Sequence, residues 1–334
     1  MPEIRQNLVT KDWVVIATER AKRPEDFKKK EKSSEQLQEY EKNCPFCPGN
    51  EISMSPEETL RVDRNGKWQV RLIPNKFPAL SRVGERIRTV QGIKRQLTGV
   101  GLHEVVIETP LHNMTTALLP YKDVCDIISS YKLRYNEMIN DKRVEMIIIF
   151  KNHGEAAGTS LIHPHSQIVA TPVVPSQVRE RFNDAQKYFD ENFECVFCKI
   201  LCEELSEGTR IVTETKHFVA FIPYAALSPF HCWIYPRRHY SSFGDISEEE
   251  VSDFALNLHT TLKKYYYGLD NPDFNYVIRS APTDLKNLDF FHWYLSIVPR
   301  LTKTAGFELG SGMFINSSLP ENDAKFLREA KILG

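Results

Sequence analysis

Two Cys-x-x-Cys pairs, Cys44/Cys47 and Cys195/Cys198, each followed by two well-separated histidines, constrain this 334-residue chain more than any other feature. An odd total of seven cysteines argues against a closed disulfide framework, and paired Cys-x-x-Cys reads as metal before redox pair. His112 and His163 follow the first pair; His239 and His292 follow the second at nearly the same mutual interval. The elements around them recur in one order. A knuckle leads to two strands and a histidine, then to an amphipathic helix, and finally to a strand that delivers the second histidine. In the first half the strands are expected at Trp68–Pro74, His103–Glu108 and Val144–Phe150, and the helix runs from Val124 through Ile127, Ile128, Tyr131, Tyr135, Met138 and Ile139. In the second half they fall at Phe218–Ile222, His231–Tyr235 and Phe274–Arg279. There Ser247 and Glu250 form a capping box ahead of Val251, Phe254, Leu258, Leu262 and Tyr265. The pattern is a duplicated α+β unit of antiparallel sheets with packed helices, divided into residues 1–178 and 179–334.

The duplication assigns two Cys2His2 sets: Cys44, Cys47, His112 and His163, then Cys195, Cys198, His239 and His292. Four nitrogen and sulfur donors with no open position suit a closed tetrahedral structural zinc, so two zinc ions are expected. Cys125 and Cys232 read as ordinary buried thiols, and Cys202 has no assigned role.

The halves differ around the last histidine. The first contains His163-Pro164-His165-Ser166-Gln167, preceded by a small-residue loop between Gly154 and Gly158 that lets backbone approach a ligand. On a strand His163, His165 and Gln167 share one side. Registering His163 on His292 puts Tyr294 at the place of His165 and Ser296 at that of Gln167. Both halves keep the metal ligand, but only the first keeps a second imidazole and an amide. That is one working site and one retired copy.

Composition narrows the class. Lysine plus arginine is 43 against 44 acids, a net of −1, so no global basic field recruits nucleic acid. Residues 22–42 are charged and nearly balanced, a solvated loop rather than a nucleic-acid patch. No apolar run has transmembrane length, and Met1–Arg5 carries no secretory segment, which makes a cytoplasmic protein the expectation.

A duplicated unit with His-Pro-His-x-Gln after a Gly-and-Ala-rich loop resembles the galactose-1-phosphate uridylyltransferase family of the histidine-triad superfamily. The likeness extends to Asn75, the Asn152–Gly154 loop, Ser160 and Phe307-Glu308-Leu309-Gly310. It implies a histidine-triad-like fold and ping-pong transfer of UMP between UDP-glucose and galactose 1-phosphate. His165 would be the nucleophile and Gln167 a phosphoryl donor. Asn75, Asn152, Gly154 and Ser160 would contact nucleotide or phosphate, and Glu308 the sugar hydroxyls. Histidine-triad hydrolases carry a third histidine at the position of Gln167.

The resemblance has two departures. The best-known branch has a His-x-His pair serving iron where this chain has His292-Trp293-Tyr294, so zinc without iron is expected. Residues 306–316, GFELGSGMFIN, look closer to an ADP-glucose phosphorylase branch, which makes ADP-glucose with phosphate the alternative chemistry. The implied partners are a nucleotide sugar and a hexose 1-phosphate, with neither nucleic acid nor membrane, and the expected assembly is a homodimer. A zinc-knuckle scaffold or nucleic-acid module is the rival from another class, opposed by the neutral charge balance. A triad-type nucleotide hydrolase is opposed by Gln167.

Overall fold

The computed structural model describes residues 1–17, 27, 37–51 and 57–332. The chain opens with the hairpin β1 (Glu3–Gln6) and β2 (Trp13–Ile16). The first five strands of the main sheet include β3 (Leu60–Arg64), β4 (Lys67–Pro74) and, after the exposed hairpin β5 (Arg88–Gln91) and β6 (Lys94–Leu97), β7 (Leu102–Ile107). Helix α1 (Tyr121–Met138) then leads to β8 (Met146–His153) and β9 (His165–Thr171). Helices α2 (Ser176–Asn192) and α3 (Val196–Glu207) precede β10 (Ile211–Glu214), β11 (Phe218–Phe221) and β12 (Cys232–Pro236). Helix α4 (Glu248–Gly268), β13 (Phe274–Arg279) and β14 (Tyr294–Pro299) complete the repeat, and α5 (Gly306–Ser311), β15 (Phe314–Asn316) and α6 (Pro320–Glu329) close the chain.

The order across the main sheet is β10-β11-β12-β14-β13-β8-β9-β7-β4-β3, and each pairing between neighbours is antiparallel. Read outward from the β13–β8 seam, each half has the same strand order, with α1 and α4 at equivalent places in sequence. Both helices cover one face. Tyr131, Tyr135 and Ile128 of α1 and Phe254, Leu258 and Tyr265 of α4 pack with Ile168, Ala170, Tyr276 and Ile278 in the largest core cluster. Strand alternation then sends His165, Gln167 and Val169 to the opposite face. On that side the first knuckle packs over Trp68, Ile73, Val105 and Ile107, while α3 packs over Phe221, Trp233, Tyr235 and Tyr294.

The division after residue 178 falls within the first turn of α2. The N-terminal strands meet the far end of the chain: β15 joins β2 in parallel, and Arg5 pairs with Glu321 at 2.9 Å. Most of residues 22–42, read from sequence as a solvated loop, lies outside the described residues.

The two Cys-x-x-Cys segments differ in local form. Cys195 is the N-cap of α3, whereas Cys44–Cys47 closes as an isolated turn. Pro45, Pro48 and Gly49 account for the difference, since two prolines and a glycine oppose helix propagation that Val196, Phe197 and Lys199 permit.

Helix α4 starts with the capping box read from sequence. Ser247 Oγ accepts from the Glu250 N–H at 3.1 Å, and Glu250 Oε2 accepts from the Ser247 N–H at 2.7 Å. Ser247→Ala is expected to cost about 1 kcal/mol, read as a lower urea midpoint at unchanged slope. An unmoved midpoint would remove the cap from the list of features that hold this helix.

Candidate active site and metal sites

The first Cys2His2 set assembles as the sequence predicts. Cys44, Cys47, His112 and His163 are buried, with all four donor atoms within 4.8 Å of one another. His163 Nδ1 lies 3.7 Å from Cys44 Sγ and 3.6 Å from Cys47 Sγ, and His112 Nδ1 lies 3.6 Å from Cys47 Sγ. A tetrahedral ion with thiolate and imidazole bonds of about 2.0–2.3 Å needs donor-to-donor edges of about 3.3–3.8 Å, so the residues fit it. His163 Nε2 donates to the Thr109 carbonyl at 2.7 Å, which leaves Nδ1 as the lone-pair nitrogen facing the sulfurs. Burial pushes the His163 imidazole down to about 4, keeping it neutral and ligand-ready at pH 7.

The second set is looser. Cys195, Cys198 and His239 form a three-residue group with donors mutually within 4.8 Å, and His239 Nδ1 is 3.1 Å from Cys198 Sγ. His239 Nε2 donates to the Leu288 carbonyl at 2.8 Å, repeating the arrangement of His163. The fourth predicted ligand, His292, places Nδ1 3.8 Å from Cys198 Sγ but stands outside that tight group. Both sets can hold a metal ion; the first is the better formed. Cys202 is exposed on α3, Cys232 is fully buried, and Cys125 is only partly so.

His165 opens β9 directly beside the first set. Its ring is 5.4 Å from that of Phe46, the residue between the two knuckle cysteines. Its Nδ1 donates to the His163 carbonyl at 2.8 Å, so Nε2 is the nitrogen with an available lone pair. Burial, with Lys151 nearby, lowers the His165 imidazole below its ordinary value and favours the neutral, nucleophilic form.

A cavity of about 850 Å³ opens on this ring. Asn152, Gly154 and Ser160, three of the predicted substrate residues, line it with His165. Asn152 Oδ1 accepts from Asn275 Nδ2 at 2.7 Å, so a strand of the second half orients a residue of the first. Asn271 and Asp273, at the second half's α4–β13 connection, also line the cavity.

Asn75, Gln167 and Glu308 are placed differently; none is among the cavity's lining residues. Gln167 shares the strand face of His165 two positions on, and its Oε1 lies 2.7 Å from His103 Nε2. His103 Nδ1 accepts from the Ala79 N–H at 3.0 Å, which puts the proton on Nε2 and makes Gln167 Oε1 the acceptor. The Gln167 NH2 group makes no hydrogen bond among the described residues and is left available as a donor. Asn75 Oδ1 accepts from the Phe77 N–H at 2.9 Å, as a turn residue does, while its Nδ2 lies 3.1 Å from His103 Nε2. Glu308 Oε2 accepts from the Ala305 N–H at 2.9 Å and caps its own short helix.

Sequence reasoning missed His103 and Lys151. Lys151 Nζ donates to Glu108 at 2.7 Å and to the His165 carbonyl at 3.1 Å, with lysine and glutamate both buried. Thr116 and Tyr131 also donate to Glu108, at 2.8 and 3.3 Å, and Tyr131 reaches Ser166 and Tyr276 at 2.5 and 2.7 Å. The available signal was one lysine and one glutamate at the ends of otherwise apolar strands.

Gly154 has φ 85° and ψ 163°, a region essentially reserved for glycine, and a Cβ there would meet Asp273 Cγ at 2.2 Å. Gly154→Ala is therefore expected to destabilise the fold by roughly 1–3 kcal/mol of backbone strain, plus the clash, with activity lost in parallel. Wild-type thermal stability in this variant would show that the loop relaxes freely and that the tight approach is dispensable.

The chain is similar to known proteins along nearly its whole length. Residues 1–175 match the family described as galactose-1-phosphate uridyl transferase, N-terminal domain. An ADP-glucose phosphorylase of Arabidopsis thaliana is 37% identical over 335 residues, covering 99% of this chain and 93% of that protein. A galactose-1-phosphate uridylyltransferase of Thermotoga maritima is 31% identical over 342 residues, covering 99% of each. Among solved structures, the Arabidopsis thaliana ADP-glucose phosphorylase with bound ADP-glucose superposes with a TM-score of 0.84 at 33% identity, covering all of both chains. A uridylyltransferase structure superposes at 0.75 with 26% identity, covering 99% of this chain and 98% of that one. With its first half matched by that family and such relatives along nearly its whole length, the chain belongs to the galactose-1-phosphate uridyl transferase family.

Proposed function

We propose that this chain is a nucleotidyltransferase that exchanges UMP between UDP-glucose and galactose 1-phosphate through a covalent uridylyl group on His165. The observation that carries the reading is the commitment of His165 Nδ1 to the His163 carbonyl, which leaves Nε2 as the attacking atom beside a large cavity. Nε2 bonds to the α-phosphorus as the bond to the departing glucose 1-phosphate breaks. The positive charge that develops on the ring is shared with the carbonyl accepting from Nδ1. A phosphate oxygen of galactose 1-phosphate then attacks phosphorus and frees the imidazole. Gln167 donates through its unengaged NH2 group to a phosphoryl oxygen and offers no proton-transfer group to water. Asn152 and Ser160 line the cavity as phosphate contacts, with Asn75 and Glu308 as further nucleotide and sugar contacts.

Both Cys2His2 sets hold structural zinc in this reading, without iron; they fasten a cysteine turn to the strand that follows a helix. Seven cysteines with no disulfide among them fit a cytoplasmic protein. No helix among the described residues is long and apolar enough to cross a membrane, and the near-zero net charge supports a chain that does not bind nucleic acid. The assembly we propose is a homodimer, because Ile148, Phe150, Val169 and Val277 on central strands are only partly buried and a second copy would cover them.

One specific set of observations favours a second reading, ADP-glucose phosphorolysis by the same histidine. The Arabidopsis thaliana relative at 37% identity has that name, and residues 306–316 resemble that branch. A matched comparison of kcat/KM for UDP-glucose and ADP-glucose, each with galactose 1-phosphate and with phosphate, separates the two. Preference for ADP-glucose and phosphate would overturn the uridylyl assignment and leave the His165 mechanism in place.

The mechanism has its own test. Wild-type protein incubated with nucleotide sugar labelled in the α-phosphate should retain an acid-labile, base-stable label. His165→Gly should retain none while keeping its fold and two equivalents of zinc. His163→Ala should lose metal as well as activity. Labelling of His165→Gly would remove His165 as nucleophile, and one zinc per wild-type chain would remove the second site.

A further inference from the structure

The repeated strand order gives each position of the first half a counterpart in the second. Gln167 lies opposite Val105 and Phe150, and Ser296 lies opposite Trp233 and Val277. On that correspondence Tyr294 stands where His165 does. Arg279, paired with Tyr294, stands where Asn152 does.

Arg279 does not stand alone. With Arg181 of α2 it lines a cavity of about 20 Å³ that also includes Tyr294 and Ser280. No carboxylate lines that cavity. Neither guanidinium makes an ion pair or side-chain hydrogen bond among the described residues, and Arg181 Nη1 is buried without a partner. Burial and then the neighbouring Arg181 pull Arg279 down to about 10, which still leaves it charged at neutral pH. The neighbouring His231 is likewise pushed down to about 3, by burial first and then by these two cations.

Both side chains are partly buried, and two neighbouring cations without a counter-charge repel each other, a repulsion arginine cannot escape by deprotonating at neutral pH. A bridging anion turns the same pair into a favourable one, because two forks of N–H donors converge on it. The cavity exceeds the roughly 10–15 Å³ that one water-sized probe needs, yet has no room for a tetrahedral oxyanion. We propose that the non-catalytic half binds a halide-sized inorganic anion between Arg181 and Arg279, at the position that mirrors His165 and Asn152.

Crystals of the full chain grown or soaked in sodium bromide should show an anomalous peak between the two guanidiniums. In solution, chloride at constant ionic strength should raise the melting temperature of the wild type relative to gluconate, which is too large to enter. A shift of roughly 2 °C at saturation is expected for a chain of this size. That chloride-minus-gluconate difference should fall by more than half in Arg279→Met and, from the other element, in Arg181→Met. An absent bromide peak overturns the proposal, as does an undiminished difference in whichever variants fold. Stabilisation by phosphate but not by chloride overturns the assignment of size, and a carboxylate of a second copy seated between the guanidiniums overturns the anion itself.

Discussion

His163 faces two ways, and the site depends on that. Its ring directs Nδ1 at the sulfurs of Cys44 and Cys47, while its backbone carbonyl accepts the Nδ1–H of His165. One residue therefore couples the metal set to the tautomer of the proposed nucleophile. Pro164 between the two histidines offers no amide hydrogen, and its carbonyl accepts from the Glu108 N–H at 3.1 Å. The segment is pinned from the cysteine turn on one side and from β7 on the other. Freeing His163 would let the His165 ring turn, and a nucleophile that turns loses the orientation that makes it effective.

Beneath this segment lies a buried polar network that crosses the seam between the halves. Lys151 and Glu108 are fully buried and paired, with Thr116, Tyr131 and Ser166 satisfying further lone pairs, and Tyr276 of β13 joining from the second half. Removing either charge alone would strand the other at a cost of about 3–5 kcal/mol. Asn275 makes the same crossing on the opposite face, holding both Asn152 and the Ala157 carbonyl. The second half thus props up the cavity beside His165 in the first.

Gln167 shows how much depends on a residue that no motif includes. An amide has two faces, and only one orientation presents a donor to a phosphoryl group. His103 selects it, because the Ala79 N–H fixes the ring's proton on Nε2. In the other half His231 Nε2 meets Ser296 Oγ at 2.9 Å, at the equivalent register, so the histidine persists although the amide is gone.

The sequence by itself determined the repeat, the four residues that gather in the first Cys/His cluster and the candidacy of His165 as nucleophile. These depend on residue type and on the periodicity of one strand or one helix, which local order carries: α4 begins at the predicted capping box and β13 spans the predicted Phe274–Arg279. Helix α2 escaped because Val178 and Ala185 are its only buried residues, too sparse a stripe to read. Tertiary structure alone decided the rest. It joined the halves into one sheet through β8 and β13, and it brought Asn152, Gly154 and Ser160 to the cavity while placing Asn75, Gln167 and Glu308 outside its lining. It left His292 at the edge of the second metal set and paired Lys151 with Glu108. These are contacts between residues distant in sequence, fixed by strand register and by which face each side chain takes, and no local pattern encodes them.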